Sequence, residues 1–249
     1  MQPAVLITGG AKRIGATIAR TFGRAGWHVV IHYGHSREAA EQLAAELPSA
    51  ECAGCDLADS DAAVAMIAAL AERLSDWRVL VNSAAVFSED SAEALAPAVF
   101  AEAMQINAET PVRMAQAFLS HARAAGGRRV IDLTDQKLLN PNPDFFSYTM
   151  AKHAFAASIR MMAMANRRAA DRIYGLAPGA MLPSFDQQPE EHQLSGRMNL
   201  LHRLTDPQEL ADAALFLSNG WLASGETLFV DSGQHLLSQR RDVLYLARE

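Results

Sequence analysis

The sequence of 249 residues predicts an α/β protein whose single domain holds a doubly wound parallel sheet flanked by helices on both faces. Three observations support this prediction. Short apolar segments alternate with segments of helical composition along the chain. The first apolar segment ends in a glycine turn that opens a helix. No repeat or linker rich in Pro, Gly and Ser interrupts the alternation, so we expect one domain over residues 1–235 and a tail over residues 236–249.

The first apolar run covers residues 4–7 and leads into Gly9 and Gly10. The next segment carries apolar residues at helical spacing, such as Ile14 and Ile18. A glycine turn at the start of a helix lets backbone N–H groups approach a pyrophosphate closely. We therefore expect a dinucleotide phosphate at this turn, and a purely structural strand-to-helix turn is the alternative interpretation.

The remaining elements continue the alternation. Further strands are predicted near residues 28–33, 50–54, 78–82, 128–134, 172–177 and 227–230. Helices are predicted near residues 36–46, 60–75, 97–125, 147–169 and 207–218. Strands that alternate with helices in this way are typical of a parallel sheet buried on both faces.

Residues 181–200 depart from this regularity, because they have no clean period and contain Pro, Gln, Glu and Ser. We interpret them as a mobile lid that carries substrate contacts, with Leu182 as a candidate. A plain surface loop is the alternative.

Composition argues against several classes of protein. The 22 basic and 28 acidic residues give a formal charge of −6 without a basic stripe, so no nucleic-acid partner is expected. No apolar run has the length of a membrane span and no signal segment opens the chain, so we expect a cytoplasmic protein with no membrane partner. Cys52 and Cys55 point to opposite faces of an extended segment, and no second ligand pair completes a zinc site, so no metal is expected.

The tip of the second predicted strand lacks the acidic residue that holds a ribose 2′-hydroxyl in an NAD enzyme. It carries polar and basic groups instead, which the predicted fold brings close to Lys12 and Arg13. These groups are His32, Tyr33, Gly34, His35, Ser36 and Arg37. Such an environment favours a 2′-phosphate and hence NADP, and solvated loop residues are the alternative.

Other candidate contacts follow the later strands. Asp56 and Leu57 come after the third strand, where an adenine would lie against the sheet edge. Small residues after Asn82, among them Ala84, leave room for a flat ligand at a carboxyl strand end. Phe87 could stack on that ligand, although a single loop Phe is more often a packing residue.

Two further positions are unusual for their surroundings. Asn107 falls inside a long helical stretch, where an amide often marks a bend or a buried polar contact. Pro178 and Gly179 close the sixth strand and shape a loop that faces the expected cofactor.

Tyr148 and Lys152 form the most informative pair in the chain. They are four residues apart in a predicted helix, so they lie on one face a turn apart. A free tyrosine has a pKa of about 10, and a neighbouring ammonium lowers it by charge attraction. We therefore expect Tyr148 to transfer a proton near neutral pH. An ordinary helix surface pair is the alternative, and for an isolated pair it is the commoner one.

These motifs, taken in order, resemble the short-chain dehydrogenase/reductase family. The motifs are Thr8 with Gly9, Asn82, Asn107, Tyr148 with Lys152, and Pro178 with Gly179, and the resemblance covers residues 3 to 235. It implies a Rossmann fold in which Tyr148 is the proton donor and Lys152 lowers its pKa and binds the nicotinamide ribose. It also implies that Asn107 orders a water of the proton relay.

The resemblance implies a set of cofactor contacts. They are Gly9, Lys12, Arg13, Ile14, Gly15, His32, Tyr33, His35, Ser36, Asp56, Leu57, Asn82, Ala84, Tyr148, Lys152, Pro178 and Gly179. The implied cofactor is NADPH.

At two positions the sequence departs from the usual family pattern, and at both it resembles pteridine reductases and dihydromonapterin reductases. Arg13 replaces a small residue of the glycine turn, and Asp135 stands thirteen residues before Tyr148 in place of a catalytic serine. Ala85 differs from that subgroup, which commonly has a serine there. The resemblance implies reduction of a dihydropterin or related C=N heterocycle, with Phe87 stacking on the ring and Tyr148 and Asp135 delivering the proton.

Two other functions remain open at this point. One is a carbonyl reductase of unknown substrate, and the other is a non-catalytic NADP-binding sensor. The helix predicted from residue 147 is apolar nearly all the way round over residues 147–165, so it needs cover on more than one side. Together with the family resemblance, this predicts a homo-oligomer, with a tetramer as the expected state.

Overall fold

The structure is a computed structural model that describes residues 1–184 and 186–249. Seven parallel strands form one sheet in the order β3-β2-β1-β4-β5-β6-β7. The strands are β1 (Ala4–Ile7), β2 (His28–Tyr33), β3 (Ala50–Gly54), β4 (Trp77–Asn82), β5 (Arg129–Leu133), β6 (Arg172–Pro178) and β7 (Thr227–Val230). The predicted fold class is confirmed.

Helices cover both faces of this sheet. They are α1 (Arg13–Arg24), α2 (Arg37–Glu46), α3 (Ser60–Arg73), α4 (Pro97–Met104), α5 (Thr110–His121), α6 (Phe146–Ala165), α7 (Pro189–Ser195), α8 (Pro207–Ser218) and α9 (Val243–Leu246). A π-helix, Gln105–Glu109, joins α4 to α5.

Alternate strand residues point to opposite faces, and both faces are apolar. Val5 and Ile7 pack with α1, α2 and α8 on one face, whereas Leu6 packs with α3, α5 and α6 on the other. Phe22 of α1 is fully buried in the first layer. Burying a side chain of this size contributes roughly 1.5–3 kcal/mol to the free energy of unfolding.

The helix predicted near residues 97–125 is divided, and it ends at His121. The division is the π-helix, which is followed by Pro111 in the first turn of α5. Proline has no N–H and its ring crowds the preceding turn, so regular α-helical bonding is interrupted there. The expectation of a bend or buried contact at Asn107 is confirmed, because Asn107 is buried within the π-helix.

The segment 181–200 contains α7, a helix that was not expected from the sequence. Gln188 and Glu191 form a capping box that starts this helix. A helix of seven residues is too short to show a period, and the cap uses Gln where Ser or Thr is the usual signal. Phe185 lies in this segment but outside the described residues.

The tail packs back on the rest of the chain. Asp144 accepts hydrogen bonds from Arg241 Nε at 2.8 Å and from the backbone N–H of Asp242 at 2.8 Å. The short helix α9 follows directly, and Leu244 is buried against Phe145. The division between residues 1–235 and the tail stays a prediction.

Two features bear on function classes. Over residues 1–184 and 186–249, no helix combines the length and apolar character needed to cross a membrane. Cys52 and Cys55 are free, and burial raises the pKa of both thiols. Neither cysteine is therefore an activated thiolate.

Candidate active site

The carboxyl ends of β1, β4, β5 and β6 meet at one edge of the sheet, where a cavity of about 610 Å³ opens. The strand order reverses at β1, and open parallel sheets bind ligands at such a point. Many predicted site residues meet here. The cavity lining includes Gly9, Lys12, Arg13, Ile14, Gly15, Ala84, Phe87, Asp135, Tyr148, Lys152, Pro178, Gly179 and Leu182.

Close backbone packing shapes the glycine turn at one end of the cavity. Gly9 has a φ of +61°, and a Cβ on Gly15 would lie 2.3 Å from the Gly9 carbonyl oxygen. Thr8 Oγ1 accepts hydrogen bonds from the N–H groups of Ser83 at 2.9 Å and Ala84 at 3.0 Å. The turn and the loop after β4 are thus held together beside the first turn of α1, as a pyrophosphate site requires.

His32 supports this turn from below. Its Nδ1 accepts the Gly9 N–H at 3.2 Å, so its Nε2–H donates to the Cys55 carbonyl at 3.0 Å. Burial lowers the pKa of His32 to about 4, so the ring is neutral. Tyr33 packs its ring against Gly54. Both side chains therefore make contacts within the scaffold, and their predicted cofactor contacts stay predictions.

A second cavity, of about 350 Å³, lies beyond Lys12 at the start of α2. Its lining consists of Lys12, His35, Ser36, Arg37, Glu38, Ala39 and Gln42. Lys12, Arg37 and the helix start create a site that suits a phosphate, although Glu38 also faces it and the Arg37 guanidinium is paired with Glu41 at 2.7 Å. The predicted contacts of His35 and Ser36 fall here, which fits a 2′-phosphate.

Arg13 is directed elsewhere. It has a φ of 52°, and its guanidinium donates to the Pro183 carbonyl at 2.9 Å. The side chain lines the main cavity and ties the glycine turn to the segment 181–200. Its predicted cofactor contact therefore belongs to the mouth of the cavity and not to the second cavity.

Asp56 and Leu57 lie next to the sheet edge, outside the described lining of both cavities. Asp56 accepts the Ala58 N–H at 2.9 Å, and Leu57 is buried. Asn82 is buried as well, and it donates to Asp132 Oδ1 at 2.8 Å across the β4–β5 pair. These three predicted contacts shape the strand ends beneath the ligand region.

Asn107 holds the loop that carries Phe87. Its side-chain amide exchanges two hydrogen bonds of 2.8 Å with the backbone N–H and carbonyl of Val86. Within the described residues it is not part of the cavity lining. Its implied role in ordering a water stays a prediction.

Tyr148, Asp135 and Lys152 converge at the end of β5. The Tyr148 hydroxyl donates to Asp135 Oδ2 at 2.7 Å, and Asp135 Oδ1 accepts the Lys137 N–H at 2.9 Å. Lys152 Nζ donates to the Leu133 carbonyl at 2.7 Å and lies 5.7 Å from the centre of the Tyr148 ring. The helical spacing therefore brings Tyr148 and Lys152 together, and the turn after β5 adds the carboxyl group.

The direction of the tyrosine pKa differs from the expectation. Burial raises the pKa of Tyr148 well above its usual value, and the charge of Asp135 adds to the rise. Burial also raises the pKa of Asp135 and lowers that of Lys152 to about 8. The expected lowering by Lys152 is wrong for this arrangement, because the ammonium donates to a carbonyl and the phenol faces a carboxylate. Tyr148 therefore keeps its proton at neutral pH.

Phe87 is part of an aromatic cluster. Its ring stacks on Phe145 with centroids 3.9 Å apart, and it packs perpendicular to the Tyr148 ring with centroids 4.7 Å apart. The side chain is 38% exposed and lines the cavity. It can thus present aromatic surface to a flat ligand beside Tyr148.

Pro178 and Gly179 form the opposite wall. A Cβ on Gly179 would lie 2.7 Å from Asp231 Cβ and 2.8 Å from Gln234 Oε1, so only glycine fits. The same Gln234 oxygen accepts the Ala180 N–H at 3.0 Å. The loop that leads to Leu182 is thereby fixed along the cavity.

Several residues of the cavity lining were not predicted from the sequence. Lys137, Asp242 and Leu244 contribute to it, together with Gln234. Lys137 directly follows the Asp135 turn, so proximity in sequence was an available signal. The tail residues gave no signal, because α9 is only four residues long and its position is a tertiary feature.

Comparisons with known proteins agree with this geometry. A family profile described as enoyl-(acyl carrier protein) reductase matches residues 9–235. The 7alpha-hydroxysteroid dehydrogenase of Escherichia coli (strain K12) is 29% identical over 238 residues, which are 92% of this chain and 92% of that protein.

Solved structures are also similar. FolM alternative dihydrofolate reductase 1 from Brucella canis, complexed with NADP, has a TM-score of 0.87 and 29% identity, covering 96% of each chain. The angucycline C-6 ketoreductase LanV with bound NADP has a TM-score of 0.83 and 25% identity, covering 94% of this chain and 96% of that chain. With the family match extending over residues 9–235, the chain is a nicotinamide-dependent oxidoreductase that belongs to the short-chain dehydrogenase/reductase family.

Proposed function

We propose that the protein is an NADPH-dependent reductase of a dihydropterin or a related heterocycle with a C=N bond. The observation that carries this proposal is the partly buried hydrogen bond of 2.7 Å between Tyr148 and Asp135 on the cavity wall. A carboxyl group in this position can donate or relay a proton to a ring nitrogen. Reduction of C=N needs such a proton once the carbon has received a hydride.

The cofactor assignment rests on the two cavities. The glycine turn fits a pyrophosphate, and Lys12 with Arg37 fits a 2′-phosphate at the start of α2. The similar structures from Brucella canis and of LanV hold NADP. When bound, NADPH supplies the hydride.

The protein's own groups hold and direct the proton. Because burial raises the pKa of Asp135 and of Tyr148, the pair retains a proton at pH values where an exposed carboxyl has lost it. The hydrogen bond between the two groups lets one replace a proton that the other has given to the ring nitrogen. Lys152, at 5.7 Å from the tyrosine ring, keeps positive charge close to the pair.

The aromatic cluster favours a flat substrate. Phe87 and Phe145 stack with an interplanar angle of 22°, and the Tyr148 ring lies perpendicular to Phe87. A planar ring that lies along this surface places one edge near the Tyr148 hydroxyl. Brucella FolM carries the description of an alternative dihydrofolate reductase, and dihydrofolate contains a dihydropterin ring.

A ketone reductase is the second candidate. The similar proteins include a hydroxysteroid dehydrogenase and a ketoreductase. The protonated phenol of Tyr148 could equally donate to a carbonyl oxygen. Ketone reduction, however, gives no role to the carboxyl group of Asp135.

The test is NADPH oxidation with dihydrobiopterin or dihydromonapterin, run beside NADH and a ketone panel. We expect rapid turnover of the dihydropterin with NADPH, and loss of about 100-fold in kcat for Asp135→Ser. Turnover of ketones alone by the wild-type enzyme would overturn the pterin assignment and favour the second candidate. Equal turnover by wild type and Asp135→Ser would remove Asp135 from the mechanism.

Subunit association is part of the proposal. Helix α6 exposes Met150, Met161 and Met164, with 78% of Met164 accessible. Exposed methionines on a helix next to the active site suit an adaptable contact between copies of the chain. The proposed assembly is a homotetramer.

A further inference from the structure

A buried ion pair joins the tail to the active site. Lys137 Nζ contacts Asp242 Oδ2 at 2.8 Å, and both side chains line the main cavity. Lys137 lies two residues after Asp135, whereas Asp242 comes from the end of the chain. The reduction mechanism proposed above uses neither residue.

The ammonium of this pair is fully engaged. Nζ donates to Asn142 Oδ1 at 2.8 Å and to the Asp144 carbonyl at 3.2 Å, and it forms the ion pair with Asp242 Oδ2 at 2.8 Å. Lys137 therefore has no further proton to offer to a ligand, as judged from the described residues. It fixes the position of the carboxylate and balances its charge.

Asp242 keeps capacity to accept hydrogen bonds. Oδ1 accepts the Leu244 N–H at 3.0 Å, and Oδ2 forms the ion pair with Lys137. A carboxylate offers about four acceptor positions, so roughly two remain. The ion pair thus presents hydrogen-bond acceptors to the cavity and no donors. It is complementary to a ligand edge that carries N–H or NH₂ groups.

The aromatic cluster connects this carboxylate to the reacting groups. Tyr148 contacts Phe87 at 4.7 Å, Phe87 stacks on Phe145 at 3.9 Å, and Lys137 Nζ lies 5.7 Å from the Phe145 ring centre. Leu244 packs against the same rings. A flat ring system along this surface has one part at Tyr148 and another at the ion pair.

We propose that Asp242 is a specificity-determining residue that accepts hydrogen bonds from the amino group and ring N–H of a 2-amino-4-oxo heterocycle. This inference rests on the proposed function and deepens it. A ligand with a carbonyl oxygen at the amino position loses one of these donors and sets its oxygen against the carboxylate, so it binds more weakly although its ring N–H remains. The tail is then part of the substrate site in its own chain.

The test compares two oxidised ligands, pterin and lumazine, which differ by an amino group against a carbonyl oxygen. Binding is measured by ligand fluorescence with the NADP⁺-loaded enzyme, in wild type, Asp242→Asn and Arg240→Gln. Arg240 is the matched control, since it is a highly exposed charge of the same tail, paired with Glu249. We expect Asp242→Asn to bind pterin roughly 10- to 100-fold more weakly, and lumazine equally or more tightly, whereas Arg240→Gln changes neither.

The double variant Lys137→Gln/Asp242→Asn guards against misfolding, because it leaves no unpaired buried charge. It is expected to show the same loss of preference for pterin and a cooperative thermal transition. An equal loss for both ligands, or an unchanged preference in both variants, would overturn the role of Asp242.

Steady-state kinetics separates this inference from the proposed function. We expect Asp242→Asn to raise the KM for dihydropterin with little change in kcat. If the wild-type enzyme reduces dihydropterin and Asp242→Asn has the same KM as wild type, the role of Asp242 is refuted and the proposed function stands. Wild-type enzyme that neither binds pterin nor reduces dihydropterin overturns the proposed function, and the inference with it.

Discussion

Replacing Asp132 by Asn should make the protein more stable at neutral and alkaline pH. Asp132 is fully buried on β5, and burial raises its pKa from 3.8 to about 7. Only Oδ1 has a partner, Asn82, whereas Oδ2 has none among the described residues. The single hydrogen bond therefore does little to offset the desolvation of the ionised carboxylate.

The sign follows from the number of protons bound. Between pH 4 and pH 7 the unfolded chain has an ionised Asp132 and the folded chain a protonated one, so the free energy of unfolding falls as pH rises. A rise from 3.8 to about 7 corresponds to about 4 kcal/mol, of which about 3 kcal/mol falls between pH 5 and pH 8. Well above pH 7 this contribution is constant, because Asp132 is then ionised in both states.

Urea denaturation of wild type and Asp132→Asn at pH 5 and pH 8 measures the effect. The variant's advantage should be larger at pH 8 by about 3 kcal/mol. A constant cost from the new amide donors cancels in this difference, and other buried carboxyls such as Asp135 contribute equally to both proteins. A difference that does not change between the two pH values would refute the reasoning, because Asp132 would then be ionised in the folded state at pH 5.

Four further predictions concern activity and assembly. Tyr148→Phe should abolish turnover and retain NADPH binding in fluorescence titrations, and unchanged turnover would exclude Tyr148 as the proton donor. The kcat/KM of the wild type should fall as pH rises through the raised pKa of Asp135. The Asp135→Ser variant should have a lower kcat/KM that lacks this fall, and the same pH profile in both proteins would contradict an acid role for Asp135. Lys12→Ala should raise the KM for NADPH at least 10-fold and leave that for NADH unchanged, and an equal effect on both would place Lys12 away from the 2′-phosphate. Light scattering at working concentration should give the mass of a tetramer, and a monomer would refute the role of the exposed methionines of α6.

The features that depend on local sequence were predictable. Apolar strands such as residues 28–33 indicate burial on both faces of the sheet. The glycines at 9 and 15 indicate a tight turn, because a side chain at Gly15 would clash with the Gly9 carbonyl. The spacing of Tyr148 and Lys152 is a property of one helix. It was enough to place both side chains at the same cavity.

The features that depend on contacts between distant segments were not predictable in this way. The sequence position of His32 suggests a phosphate contact, but both of its ring nitrogens form hydrogen bonds, with the Gly9 N–H and with the Cys55 carbonyl. Helix α9 reaches the cavity because Asp144 binds the backbone of Asp242, 98 positions later in the chain. Short, irregular segments have no period, so only their partners in the fold define them.

The direction of the Tyr148 pKa shows why spacing alone does not fix the chemistry. A lysine one turn away lowers a phenol's pKa only if its charge outweighs desolvation and any nearby anion. Here Lys152 donates to the Leu133 carbonyl, while the phenol is desolvated and donates to Asp135. A serine in place of Asp135 would remove the anion and leave Lys152 as the main charge near the ring. The same Tyr-Lys helix therefore suits a phenol poised to ionise beside a serine, and a carboxyl-phenol acid pair beside an aspartate.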